Sequence, residues 1–236
     1  MTVERIHQHI DEHFDAHLEQ VRRAVRQPSI SADGTGMAEM AQLLVDMIGE
    51  AGGTGELVST PGYPIVYGEI QVGAPKTLLV YGMYDVQPVD GEDWSVSDPW
   101  GGEVKDVPGF GPCLLNRGIF NSKGPLIHFF NALESFRAVG EPYPVNVKFM
   151  IEGEEELGSP SLPGFVEQNK ERLQADFALF PFYGQDANGK VQMYLGFKGP
   201  YFIDLIARGG GWGGPVSRGI HGSNAVWFHN PAWTLV

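Results

Sequence analysis

Short apolar runs bounded by Gly or Pro alternate along this chain with stretches of helical period, and nothing else in the sequence restricts the fold as strongly. Ile6, Ile10, Phe14, Leu18, Val21 and Val25 recur at spacings of four and three, which predicts one amphipathic helix stopped near Pro28. "MAEMAQLLVDMIGEAGG" reads as a second helix, ended by Gly52 and Gly53. "GELVST", "PIVYGEI" and "KTLLVYGM" read as strands, and residues 86–120 as loop-rich. "NSKGPLIHFFNALESFRAVG" predicts a helix with Asn121 or Ser122 as its N-cap and Gly140 as its stop. Then come a strand "VNVKFMIEG", a helix "SLPGFVEQNKERL", a strand "ADFALFPF" and a strand pair, "QMYLGFKG" with "PYFIDLIARG". The order predicts an α/β fold, a three-layer α/β/α domain around a mixed, largely parallel sheet. Such sheets bind ligands beyond the carboxyl ends of their strands. Three candidates lie at such ends: Asp85, the cluster "EGEEE", and the segment after "ADFALF".

The net charge of −13, with no patch of Lys and Arg, argues against a nucleic-acid partner. Cys113 is the only cysteine, so no intrachain disulfide forms and a reducing compartment is expected. "MTVERIHQHIDEHF" lacks the apolar core of a secretory signal, and no run approaches the roughly 20 apolar residues that span a bilayer. A cytoplasmic protein without a membrane partner is expected.

"IEGEEELGS", Ile151 to Ser159, is the sharpest local signal, because adjacent carboxylates repel unless a cation or a proton is shared between them. A solvated acidic loop fits the composition too. Upstream, Met83 stands two residues before Asp85 on the same side of a strand end, where a His would complete a metal-binding pair. His9, His13 and His17 recur every four residues, a spacing that can chelate a metal and also suits a half-exposed helix face. His128 reads as a packed helix residue, and Trp227, Phe228 and Trp233 as core or dimer-contact aromatics. "GGGWGGP" lacks the strand and helix that would flank a phosphate loop.

Together, and in this order along nearly the whole chain, "YGMYDVQPVD", "RGIFNSKGP", "IEGEEELGS" and "IHGSNAVWFHNPAWTL" resemble the zinc exopeptidase family of aminoacylases, carboxypeptidase G, acetylornithine deacetylase and carnosine-type dipeptidases. The resemblance implies a phosphorylase/hydrolase-like zinc exopeptidase core over residues 1–197. Residues 198–236 would begin an α+β lid or dimerisation domain, inside which the chain stops. It also implies a hydrolase that cleaves an amide or peptide bond in a small amino-acid derivative or dipeptide. Two zinc ions would activate a water and clamp the tetrahedral intermediate. On this resemblance Glu155 is the general base, Glu156 a metal ligand, and Asp85 the acid that orients the ligand two residues before it. His221 is the lid histidine that polarises the carbonyl, a group that a homodimer could supply from its other subunit, and Asn224 is a substrate contact.

Three implied ligand positions depart from the family. The first metal His is Met83, the bridging Asp is Asn121, and the Asp after "ADFALF" falls near Phe182. The last His ligand would lie beyond "NPAWTLV". Thioether and amide are neutral, poor zinc donors, and a phenyl ring donates nothing. The substitutions leave open a single divalent cation, chemistry by Glu155 without one, or a non-catalytic member that binds an amino-acid-like ligand or a partner subunit.

Overall fold

The structure is a computed structural model and describes residues 2–186, 188–196, 198–199, 202–211 and 213–235. It divides into two compact units, one running to Tyr194 and the other starting at Leu195.

The first unit opens with α1 (Thr2–Glu12) and α2 (Phe14–Arg26), where the periodicity predicts one continuous helix. His13, at φ −115° and ψ 21°, interrupts it. The apolar stripe is split by that break: Ile6, Val21 and Val25 are buried, whereas Phe14 is left 61% exposed. Next comes α3 (Met37–Glu50), which buries Met37, Met40, Ala41, Leu44, Met47 and Ile48, the i, i+3, i+4 pattern of a core-facing helix.

β1 (Thr54–Val58), β2 (Ile65–Ile70) and β3 (Thr77–Met83) follow. Residues 86–120, read as loop, contain a hairpin of β4 (Glu103–Val107) and β5 (Gly111–Leu115). Its strands are short and none of their residues is buried, so their sequence carries little of the apolar alternation by which strands are recognised. α4 (Lys123–Ala138) starts from Ser122, whose side chain makes no cap hydrogen bond. β6 (Asn146–Glu152), α5 (Leu162–Gln168) and β7 (Phe177–Leu179) complete the core. β8 (Tyr183–Gln185) and β9 (Val191–Met193) form a second hairpin, so "VQM" pairs backward with 183–185 instead of "QMYLGFKG" pairing forward with "PYFIDLIARG". Part of that expected partner, Pro200 and Tyr201, lies outside the described residues.

The central sheet has the order β1-β2-β6-β3-β7. β3 runs parallel to both β6 and β7, and β2 runs antiparallel to its neighbours β1 and β6, so four of the five strands point one way. Alternation sorts the strands onto two cores. Val147, Phe149 and Ile151 of β6, with Val66, Ile70 and Val80, pack against α2, α3 and α4. Met150, Ile65 and Tyr67 face the opposite side, against Phe165 and Leu173. These are the three layers, and the parallel strands β3 and β6 deliver their carboxyl ends together, with Met83 paired to Glu152.

The second unit has two single helical turns, Gly222–Val226 and Pro231–Thr234, and no regular strand among the described residues. Trp227 and Trp233 are 81% and 68% exposed and Phe228 is 48% exposed, which overturns the core alternative of the reading "core or dimer-contact". No helix among the described residues is long and apolar enough to cross a membrane.

Candidate active site

Asp85 stands two residues beyond the end of β3 and is fully buried. Its Oδ1 accepts the Glu155 backbone N–H at 3.2 Å and its Oδ2 the Glu156 N–H at 3.0 Å. One carboxylate thereby fixes the single helical turn Glu155–Leu157 at the end of β6. Two amide donors go partway to offsetting the cost of burying Asp85, whose pKa is nevertheless raised, burial being the largest cause.

Glycine is required where this turn leaves the sheet. A Cβ on Gly153 would sit 2.3 Å from the ring of Tyr84, whose hydroxyl donates to the Pro64 carbonyl at 2.8 Å. Likewise a Cβ on Gly124, at the start of α4, would meet the Ile119 carbonyl oxygen at 2.0 Å.

Glu155 and Glu156 are half-buried. Burial raises the Glu155 pKa, and the negative charges of Glu156, Asp85 and Glu152 raise it further. Glu156 Oε2 accepts from Gln87 Nε2 at 2.8 Å, which ties the acidic turn to the loop after β3. Glu152, within the same acidic cluster, was not singled out by the motif. It is 2% exposed, and its Oε1 accepts from Tyr81 Oη at 2.6 Å and from Ser159 Oγ at 3.0 Å, while Oε2 has no partner. An acidic residue closing a strand directly after the apolar run Phe149, Met150 and Ile151 was the available signal.

Burial also raises the Glu152 pKa. The folded protein therefore holds this proton to higher pH than the unfolded chain, and stability falls as pH rises from about 4.3 through the raised value. Glu152→Gln is expected to raise the urea midpoint at pH 7, with the gain shrinking toward pH 4. A lower midpoint at pH 7 would contradict the burial argument.

Asn121, by contrast, is exposed at the start of α4 and makes no hydrogen bond to Asp85, Glu155 or Glu156 among the described residues. Met83 is buried at the end of β3. Beyond β7 the expected carboxylate position is aromatic. Phe182 stacks on Phe180 (5.4 Å between centroids) and meets Phe120 edge-on (5.7 Å), and Phe180 meets Tyr81 at 5.1 Å. This row of rings, invisible to the motif comparison, links β3 to the segment after β7 and to Phe120, the neighbour of Asn121 in sequence. Among the described residues, no three His, Cys, Asp or Glu donors at the strand ends converge enough to share one ion. Glu156 alone carries a charged donor at its implied position, so the donor set does not fit a two-zinc centre.

Lys123, the first residue of α4, is fully buried and donates through Nζ to the Gln27 carbonyl. His221 and Asn224 belong to the second unit. There His221 Nδ1 accepts the Ser223 N–H at 3.2 Å and contacts Ser223 Oγ at 2.9 Å, and Asn224 Nδ2 donates to the His221 carbonyl at 3.2 Å. His128 contacts the Tyr183 hydroxyl through Nδ1.

Comparison with known proteins gives a consistent picture. The profile described as peptidase family M20/M25/M40 matches residues 79–233. A Cys-Gly metallodipeptidase, dug1, of Schizosaccharomyces pombe is 32% identical over an alignment that covers 100% of this chain and 51% of the relative. The Beta-Ala-His dipeptidase of Homo sapiens is 40% identical over 49% of this chain and 22% of its own length. Among solved structures, the M20 family metallo-carboxypeptidase Sso-CP2 from Sulfolobus solfataricus superposes with a TM-score of 0.67 at 35% identity, covering 74% of this chain and 39% of that one. The chain thus spans between 22% and 51% of the length of these relatives.

Proposed function

Because the chain belongs to the peptidase family M20/M25/M40, we propose that it serves as a peptide-bond hydrolase for dipeptides, with Glu155 as the base that deprotonates the attacking water. The observation that carries this reading is the grip of Asp85 on both amides of the Glu155–Glu156 turn. It holds a carboxylate in fixed position at the strand ends, where ligands of such sheets bind. The raised pKa of Glu155 supports the role, since a base whose pKa lies closer to the working pH takes up a proton more effectively.

Substrate class comes from the relatives, which are named for Cys-Gly and Beta-Ala-His dipeptides. In the family pattern His221 polarises the scissile carbonyl and Asn224 contacts the substrate. With Nδ1 engaged inside its own turn, His221 has Nε2 left to donate. No step of this reading runs through cations at Met83, Asn121 or Phe182, whose side chains do not suit them.

Incubation of the purified chain with Beta-Ala-His, Cys-Gly and N-acetyl amino acids tests the proposal, with zinc, manganese, cobalt or a chelator added in parallel. Amino-acid release from the dipeptides is expected to exceed release from the N-acetyl compounds. No dipeptide turnover above buffer under any of these conditions would overturn it.

A further inference from the structure

We propose that His9, His17 and Glu134 form a binding site for a single divalent cation of the zinc class where α1, α2 and α4 meet. The ligating atoms of these three side chains all lie within 4.8 Å of one another, the one such grouping among the described residues. His17 Nε2 is 2.9 Å from Glu134 Oε2, and His9 Nδ1 is 3.9 Å from the same oxygen. Donors about 2.0–2.1 Å from a tetrahedral ion stand roughly 3.3 Å apart. These separations straddle that value, and Glu134, with 42% of its side chain exposed, has room to move the difference.

Backbone geometry brings the two imidazoles together. Residues eight apart on an unbroken helix are separated by about 12 Å along its axis. Across the interruption at His13 the His9 and His17 rings come to 5.8 Å. His13 itself stacks on His9 at 4.0 Å and turns its Nδ1 to the His9 carbonyl, so it buttresses the first imidazole. Asn131, one turn before Glu134 on α4, donates through Nδ2 to the His17 carbonyl at 3.2 Å and fixes the second.

Two polar atoms at this junction are buried without a partner, His9 Nδ1 and Asn131 Oδ1. Buried polar atoms left unpaired are costly, and a cation beside His9 Nδ1 would satisfy the first. Two neutral imidazoles and one carboxylate favour borderline ions such as zinc, cobalt or nickel over magnesium or calcium. Binding replaces the His17–Glu134 hydrogen bond, and the ring proton of His17 moves from Nε2 to Nδ1 by way of solvent, so that Nε2 ligates as part of a neutral imidazole. The partly exposed side of Glu134 leaves a coordination position open to water.

The test is titration of chelator-treated protein with Co(II), read by the visible d–d band of four-coordinate cobalt. One equivalent is expected to bind, and Glu155→Gln and Glu156→Gln are expected to leave the band unchanged. His9→Ala, His17→Ala and Glu134→Gln should each weaken binding by at least about tenfold, since loss of a ligand exceeds the cost of perturbing an outer partner. His17→Gln, with circular dichroism as a check on folding, covers the case in which His17→Ala fails to fold. His13→Ala should retain the band. The assignment falls if no equivalent binds, if the band survives His9→Ala, or if it disappears with Glu156→Gln.

Discussion

Glu155→Gln is expected to lower kcat/KM on dipeptides by about 10²- to 10⁴-fold, the usual worth of a positioned general base, with most of the loss in kcat. Gln keeps the shape of the side chain and leaves untouched the backbone N–H through which Asp85 holds the turn. What it removes is the ability to accept a proton. The raised pKa of Glu155 gives a second readout. Activity requires the ionised carboxylate, so the acid limb of the kcat/KM profile should lie above the ordinary glutamate value and should vanish from the residual activity of the variant. Steady-state kinetics from pH 4 to 8 check both. A variant within tenfold of wild type, with its acid limb in place, would assign proton transfer to another group.

Much of the site was legible because the acidic motif abuts a buried strand. "KTLLVYGM" and "VNVKFMI" are apolar runs of strand length, and placing them as neighbouring parallel strands puts Asp85 next to Glu155 and Glu156. The α3 stripe was readable for a similar reason: one face of a regular helix is buried throughout, so local periodicity is preserved. The sequence was silent where structure depends on contacts between distant segments. The break at His13 follows no Gly or Pro. The hairpin β4–β5 has no buried residue and little apolar patterning. The row Tyr81–Phe180–Phe182–Phe120 joins residues from three separate segments. Phe182 could be recognised in advance as a missing carboxylate, but only the fold shows that other rings pack against it.

Lys123 is the clearest case of a residue whose environment no local pattern discloses, and it leads to the largest expected effect on stability. Its side chain is fully buried, with Nζ 2.5 Å from the Gln27 carbonyl and 5.7 Å from the centroid of Trp100. Burial pushes its pKa down to about 7, with the charge of Asp85 opposing the shift. The unfolded chain releases this proton near 10.4. Between those values the unfolded state binds more protons than the folded one, so stability rises with pH over that window. A difference of about 3 pK units sets a ceiling near 4 kcal/mol at 1.36 kcal/mol per unit. Tyr67, Tyr81 and Tyr84 act in the opposite direction. Their pKa values are raised by burial, so above about pH 10 the unfolded chain loses phenolic protons that the folded protein keeps, and stability falls again. The usable interval is therefore about pH 7 to 9.5, across which the wild-type urea midpoint should climb. Lys123→Met fills the same space without a charge, at the cost of the Gln27 hydrogen bond. It should raise the midpoint at pH 6 and flatten the curve between 7 and 9.5. A wild-type midpoint that stays level over that interval, or a variant less stable at pH 6, would show that the ammonium is better solvated in the fold than its burial indicates.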